Sequence, residues 1–254
     1  MKKNVNSILN YLTLIVLGIY VNYLYLIQKI TLLIHPRYIW LVLVAGVVIT
    51  LVGVVGMAQI ALQSINKNSK NQLTTQTTLK NSLFSGVLLV LTIGLFFVPI
   101  ASLSIFSYNI RTLKSELSLN ETDKANLKEK FKLNLNTRNF TIEDWVKAKS
   151  LNNLKLFENN EFVGVGFVAS KTDKTFNLSR FVISCCIVDA TPISLLVDYN
   201  SIPNDQKEKI VDGEWIEIVG KFQIQLVNNE QAPVIVPTSV TKTSEPKNTY
   251  INRN

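Results

Sequence analysis

The chain has 254 residues, 47% of them hydrophobic, and carries a formal net charge of +8, a length that suits one or two folding units. No Asp or Glu precedes Tyr108, so the positive excess belongs to the first part of the chain and the remainder is close to neutral. That part has no basic stripe with interleaved aromatics, which excludes a nucleic-acid surface and leaves anionic lipid headgroups as the expected counter-charge; two adjacent cysteines exclude a framework of several disulfides.

A bilayer core of roughly 30 Å takes about 20 consecutive apolar residues to cross as a helix. Residues 1–107 meet that demand three times, predicting spans over about 8–27, 38–62 and 83–107. The first follows Lys2 and Lys3, as a signal peptide would. Its apolar run is longer than the roughly 7–15 residues of a signal, and no alanine precedes Ala45, so an anchor is preferred. The second opens with His35-Pro36-Arg37-Tyr38 and Trp40, where proline suits a helix start and the aromatic rings suit the headgroup level. His35, the single histidine, is expected to be a wet interfacial residue rather than a metal or proton ligand. Gly46, Thr50, Gly53 and Met57 recur on one face, either to admit a second helix closely or because glycine is common in such helices. Pro99 is expected to kink the third span.

None of the three spans contains Asp, Glu, Lys, Arg or His. Ionisable groups usually mark ion and proton pathways inside membranes, so this half reads as an anchor or accessory subunit rather than a transporter. Lys2, Lys3, Lys67, Lys70 and Lys80 on one side outweigh Lys29, Arg37, Arg111 and Lys114 on the other by one charge. The balance favours a cytoplasmic amino terminus and an extracytoplasmic soluble domain.

Residues 108–140 are polar and mixed in charge, predicting a linker with partial helix. Thr141-Ile142-Glu143-Asp144 matches a capping box that starts a short helix. Strands follow at Glu161–Ala169, Phe181–Val188, Ile193–Tyr199, Glu214–Leu226 and Pro233–Val236, with Asp212-Gly213 as a turn. Gly164 and Gly166 mark bending or close backbone approach in the first of them. Five short strands predict a mainly-β, OB-like small barrel over 141–237. The segment 238–254 has no apolar period and is expected to be disordered.

The chemistry is concentrated in Arg180-Phe181-Val182-Ile183-Ser184-Cys185-Cys186-Ile187-Val188-Asp189-Ala190-Thr191-Pro192. Thiolates are soft ligands for zinc and similar ions, which makes Cys185 and Cys186 candidate metal ligands and Asp189 a candidate third functional group. Adjacent residues of a regular strand face opposite ways, so the two thiols converge only at a bulge or as a strained vicinal disulfide. Two thiols also fall short of the four ligands of a structural zinc site, and Asp189 has a plain reading as a turn residue bonding nearby backbone. No Ser-His-Asp set and no phosphate-cradling glycine loop can be drawn, so the chain is not expected to be an enzyme.

The run Cys185-Cys186-Ile187-Val188-Asp189-Ala190-Thr191-Pro192 resembles the Cys-Cys-x-x-Asp-Ala-x-Pro motif of the YcgQ-like family of bacterial permease subunits. His35-Pro36-Arg37, residues 163–168 and residues 213–220 fit the same family pattern; Val188 departs from it, where alanine is frequent. The resemblance implies a polytopic permease as partner and raises the weight of the cysteines. The function expected is therefore a membrane-anchored accessory subunit whose barrel binds cargo or regulates its partner. The alternative is a membrane-tethered binding module for an envelope polymer or protein, with Trp215 and Tyr199 as contacts.

Overall fold

The computed structural model describes residues 2–65, 79–103, 105–111, 140–151 and 153–252. The chain divides into two compact units, Met1–Ala101 and Ser102–Asn254.

In the first unit, α1 (Lys2–Leu26) and α2 (Ile39–Ile65) are joined by two short 3-10 turns. The second of these, Pro36–Tyr38, is capped by His35, whose Nδ1 accepts a hydrogen bond from the Arg37 amide at 3.1 Å. His35 is not the wet residue expected: it is buried, and its Nε2 has no partner among the described residues. The glycine stripe of α2 is packed against α1. A Cβ on Gly46 would meet Val21 and Asn22, one on Gly53 would meet Ile15, and one on Gly56 would lie 2.2 Å from the Tyr11 ring. From the other side, a Cβ on Gly18 would lie 2.2 Å from Thr50 Oγ1. The contacts descend α1 as they climb α2, so the pair is an antiparallel hairpin held by close backbone approach. The opposite face of α2 leaves Leu41, Val44, Val48, Leu51 and Val55 exposed.

α1 and α2 are long and apolar enough to cross a membrane. The third expected span takes a different form. α3 (Leu79–Gly94) continues as one 3-10 turn to Phe97 and stops, with Val98 already extended ahead of Pro99. Proline crowds the residue before it out of the helical region, so Pro99 ends the helix here instead of kinking it. The apolar run of this helix, counted from Leu83 in the sequence to Phe97, is about 22 Å long at 1.5 Å per residue. Its end packs on α1 through Phe96 and Tyr20, whose rings are 4.8 Å apart.

Among its described residues, the second unit is a barrel with two α-helices. α4 (Ile105–Arg111) comes first; residues 112–139, most of the expected linker, lie outside the described residues. α5 (Ile142–Lys149) carries the capping box the sequence announces: Thr141 Oγ1 accepts from the Asp144 amide at 3.2 Å, and Asp144 Oδ2 accepts from the Thr141 amide at 3.0 Å. The strands are β1 (Glu161–Ala169), β2 (Thr175–Ile183), β3 (Thr191–Asp198), β4 (Trp215–Val227), β5 (Glu230–Lys242) and β6 (Tyr250–Asn252). Pairing runs β1-β4-β5-β3-β2, and β1 also pairs with β2, which closes a five-stranded barrel. The β3–β5 pairing is parallel and the other barrel pairings are antiparallel. Gly166 sits at the closure, where a Cβ would come within 2.8 Å of the Ser179 carbonyl oxygen. Asn228 and Asn229, both with positive φ, make the two-residue turn between β4 and β5.

The core is aromatic. Trp145 of α5, fully buried, stacks among Phe140, Phe157 and Phe222, with ring centroids 4.5 Å apart for the Trp145–Phe222 pair. The segment expected to be disordered from Thr238 is largely ordered. β5 runs on to Lys242 with Val240 buried, and β6 adds in parallel to the edge of β2 beyond the point where β1 leaves it. Buried Tyr250 accepts a hydrogen bond from the Leu103 amide at 3.1 Å, and Glu245 accepts one from Ser102 at 3.0 Å.

Candidate functional site

β2 ends at Ile183, two residues before the cysteines, so the alternation of a regular strand does not govern them. Ser184 and Cys185 bend away, Cys186 is extended at φ −157 and ψ 173, and Ile187–Asp189 form a 3-10 turn leading into β3. The bend brings both thiols to one side. Cys185 and Cys186 are free, with Sγ atoms 3.5 Å apart; Cys185 is exposed and Cys186 half-buried. The strand expected over Phe181–Val188 instead runs Thr175–Ile183, and the convergence that strand geometry forbade is present.

Asp189 holds this bend. Its Oδ2 accepts from the Cys185 amide at 2.6 Å and its Oδ1 from the Ser184 amide at 3.1 Å, while its own amide donates to the Cys186 carbonyl at 3.1 Å. Burial pushes the Asp189 carboxyl upward, but hydrogen bonds from the Cys185 thiol and from the Cys185, Ser184 and Cys186 amides outweigh it and hold the group below its ordinary value. The same contact acts in reverse on the thiol. Its hydrogen bond to Asp189, then the one to Cys186, push Cys185 up to about 12, because the protonated thiol is the form that donates.

Behind the turn, Arg111 of α4 donates from Nη1 to the carbonyls of Ile187 at 3.0 Å and Ala190 at 2.7 Å. Tyr108, one turn earlier, is buried against Phe167 and accepts from Asn177 at 3.0 Å. Sequence reasoning gave both residues to the linker. Their spacing of three places them on one helix face, the only sequence signal that marks them. Residues 110–111 and 188–192 line a cavity of about 310 Å³ beside the turn.

Arg180, which opens the motif, is structural. It donates to the carbonyls of Val165, Asn248 and Thr249 and lies over the Trp215 ring at 5.4 Å. Burial lowers its guanidinium to about 10, with Glu245 opposing that shift. Trp215 is thereby covered by Arg180 and edge-packed on Phe167. Tyr199 lies elsewhere, between Lys171 and Lys207 at 4.8 and 5.3 Å. These two rings do not form a shared platform.

Of the three expected site residues, two present functional atoms outward and the third positions them. No group of three or more His, Cys, Asp or Glu suited to a metal ion is found among the described residues. The donors on offer are two sulfurs, half of a tetrahedral set. The arrangement suits binding of a thiophilic group at the surface, with Asp189 spent on backbone amides.

A second concave feature, of about 690 Å³, lies between the β1–β2 loop and the β4–β5 hairpin. It is lined by Thr172, Asp173, Lys174, Asp198 and Gln225 with Leu196, Leu226 and Val227, a mixed wall without an aromatic ring.

Residues 9–114 match the DUF1980 N-terminal domain and residues 113–253 the DUF1980 C-terminal domain. The chain belongs to the DUF1980 family, a family defined by domains of unknown function. No curated protein matches it.

Proposed function

We propose that this DUF1980 member is a membrane-anchored accessory subunit of a polytopic permease, binding cargo at the Cys185–Cys186 turn of an OB-like barrel. The observation that carries the reading is a pair of free thiols held 3.5 Å apart on a surface turn, in a chain whose α1 and α2 have the length and apolarity of membrane spans. α3 serves as a third, short span, and the barrel faces the extracytoplasmic side, in keeping with the lysine balance. Isolated exposed apolar residues are ordinary, but the continuous exposed face of α2 is large enough to need lipid or another helix. No span carries a charge, so conduction is left to the partner. Tagged protein purified from its own cells in mild detergent, after brief cross-linking, should carry a polytopic protein with it. Repeated recovery of the chain alone would sink the subunit reading.

A second reading is favoured by the cleft beside the β4–β5 hairpin: a tethered module that holds an envelope polymer or protein there, with no transport role. The position between these two loops is where OB-like barrels bind extended ligands. Replacing Cys185 and Cys186 together by serine separates the two readings. An unchanged cellular phenotype supports the module, and a loss equal to deletion supports thiol-dependent cargo binding.

A further inference from the structure

We infer that Cys185 and Cys186 form a two-sulfur chelate for a divalent d10 cation of the zinc and cadmium kind, bound with a bent S–metal–S angle and an open remainder of the coordination shell. This names the cargo class of the accessory-subunit reading and rests on it for the ion's destination.

The argument begins with the bite. With metal–sulfur bonds of about 2.3 Å, sulfurs 3.5 Å apart subtend about 100° at the ion. A tetrahedral angle takes a separation of about 3.8 Å with the same bonds, an opening of about 0.3 Å. A linear two-coordinate ion, the habit of monovalent copper and silver with two thiolates, takes about 4.6 Å at that bond length. Reaching that from 3.5 Å takes about 1.1 Å, against about 0.3 Å for the bent shell. Both changes are side-chain rotations, because the hydrogen bonds to Asp189 fix the Cys185 and Ser184 backbone rather than the sulfurs. The resting geometry therefore lies nearer to a bent shell than to a linear one.

The ligand set is sulfur only. Both Asp189 oxygens already accept backbone amides, so the carboxylate is a positioning residue. Loading breaks two S–H bonds and forms two metal–sulfur bonds, releasing two protons to solvent with no change of oxidation state. The ion's other positions are filled by water or by a receiving protein. A half-filled, solvent-facing shell suits an ion that is handed on, because closed four-ligand sites are the ones that retain zinc structurally.

The test uses the full chain in detergent, reduced and then freed of reductant, titrated with cadmium and followed by ultraviolet thiolate-to-metal charge transfer. One cadmium per chain is expected, competed away only by an excess of zinc, with the band lost in both Cys185→Ser and Cys186→Ser. Asp189→Asn keeps both sulfurs, so the 1:1 stoichiometry and the circular dichroism should stay as in the parent. Absence of the band in folded protein, persistence of the band in either serine variant, or tighter binding of monovalent copper in linear coordination overturns the inference. The same preparation is assayed for the co-purifying polytopic protein. A lost band with the partner retained removes the ion assignment alone, and an intact band without a partner removes the subunit reading alone.

Discussion

Asp189 keeps the Cys185 thiol protonated, so removing its charge should make that thiol more reactive. The parent for this comparison is Cys186→Ser, which leaves one cysteine in the chain, against the same chain carrying Asp189→Asn. Cys185 stands at about 12 against an ordinary 9.0, with Asp189 the largest cause. Loss of the whole rise, to which Cys186 and burial also contribute, would raise the thiolate fraction at pH 8 about a thousandfold. Nucleophilicity falls with pKa at a slope of about 0.4–0.5, which takes back roughly 20- to 30-fold. The ceiling is a reaction about 30- to 60-fold faster with an uncharged maleimide or iodoacetamide. Cys185 is exposed, so water screens part of the coupling, and a rise of about 5- to 30-fold is expected. The rate is followed by mass spectrometry on folded protein and repeated in denaturant, where the two variants should react alike. Equal folded-state rates, or a slower Asp189→Asn chain, would refute the claim that the carboxylate governs this thiol.

Three further outcomes follow from the packing. Gly56→Leu should disrupt the α1–α2 hairpin, because a Cβ there already meets the Tyr11 ring at 2.2 Å; overpacking of this kind costs about 1–3 kcal/mol or more. A Cβ on Gly86 in α3 meets nothing within 4 Å among the described residues, so Gly86→Leu should leave the melting temperature in detergent unchanged, and equal losses would refute the assigned packing. Trp145→Ala removes the fully buried centre of the barrel core and should cost about 3–5 kcal/mol, read as a lower urea midpoint of the barrel transition. The Asp189 carboxyl is held below its ordinary 3.8, so its contribution is complete above that pH and fades as pH falls through the folded value. Acid titration of tryptophan fluorescence should show a transition near or below pH 4 that shifts in Asp189→Asn, and an identical profile would count against the clamp.

What the sequence made legible was what repeats. Two runs of apolar residues gave α1 and α2, the Thr141–Asp144 spacing gave the start of α5, and alternating strands gave the barrel's order of elements. Pro99 was visible but ambiguous: proline inside a helix kinks it when neighbouring helices re-satisfy the freed carbonyls, and ends it otherwise. The end of the chain was misread because β5 past Pro237 and β6 are stabilised by register and by Arg180, not by a hydrophobic period. Glu245, Asn248, Thr249 and Tyr250 make contacts 68 to 147 residues away in sequence, which no local window records.

The cysteines were misplaced for a related reason. Val182-Ile183-Ser184-Cys185-Cys186-Ile187-Val188 has strong strand propensity throughout, and propensity alone carries the strand to Val188. The strand stops at Ile183 because Asp189 reaches back to take the amides of Ser184 and Cys185 out of the ladder. Asp189 was read correctly as a turn residue, but that bland role is the one that creates the site. An aspartate that bonds the backbone four and five residues before it folds two neighbouring side chains to one side, which a strand cannot do. The turn and the dithiol are thus one feature, and a substitution at Asp189 should move the thiols even though the carboxylate is not one of the two sulfur donors.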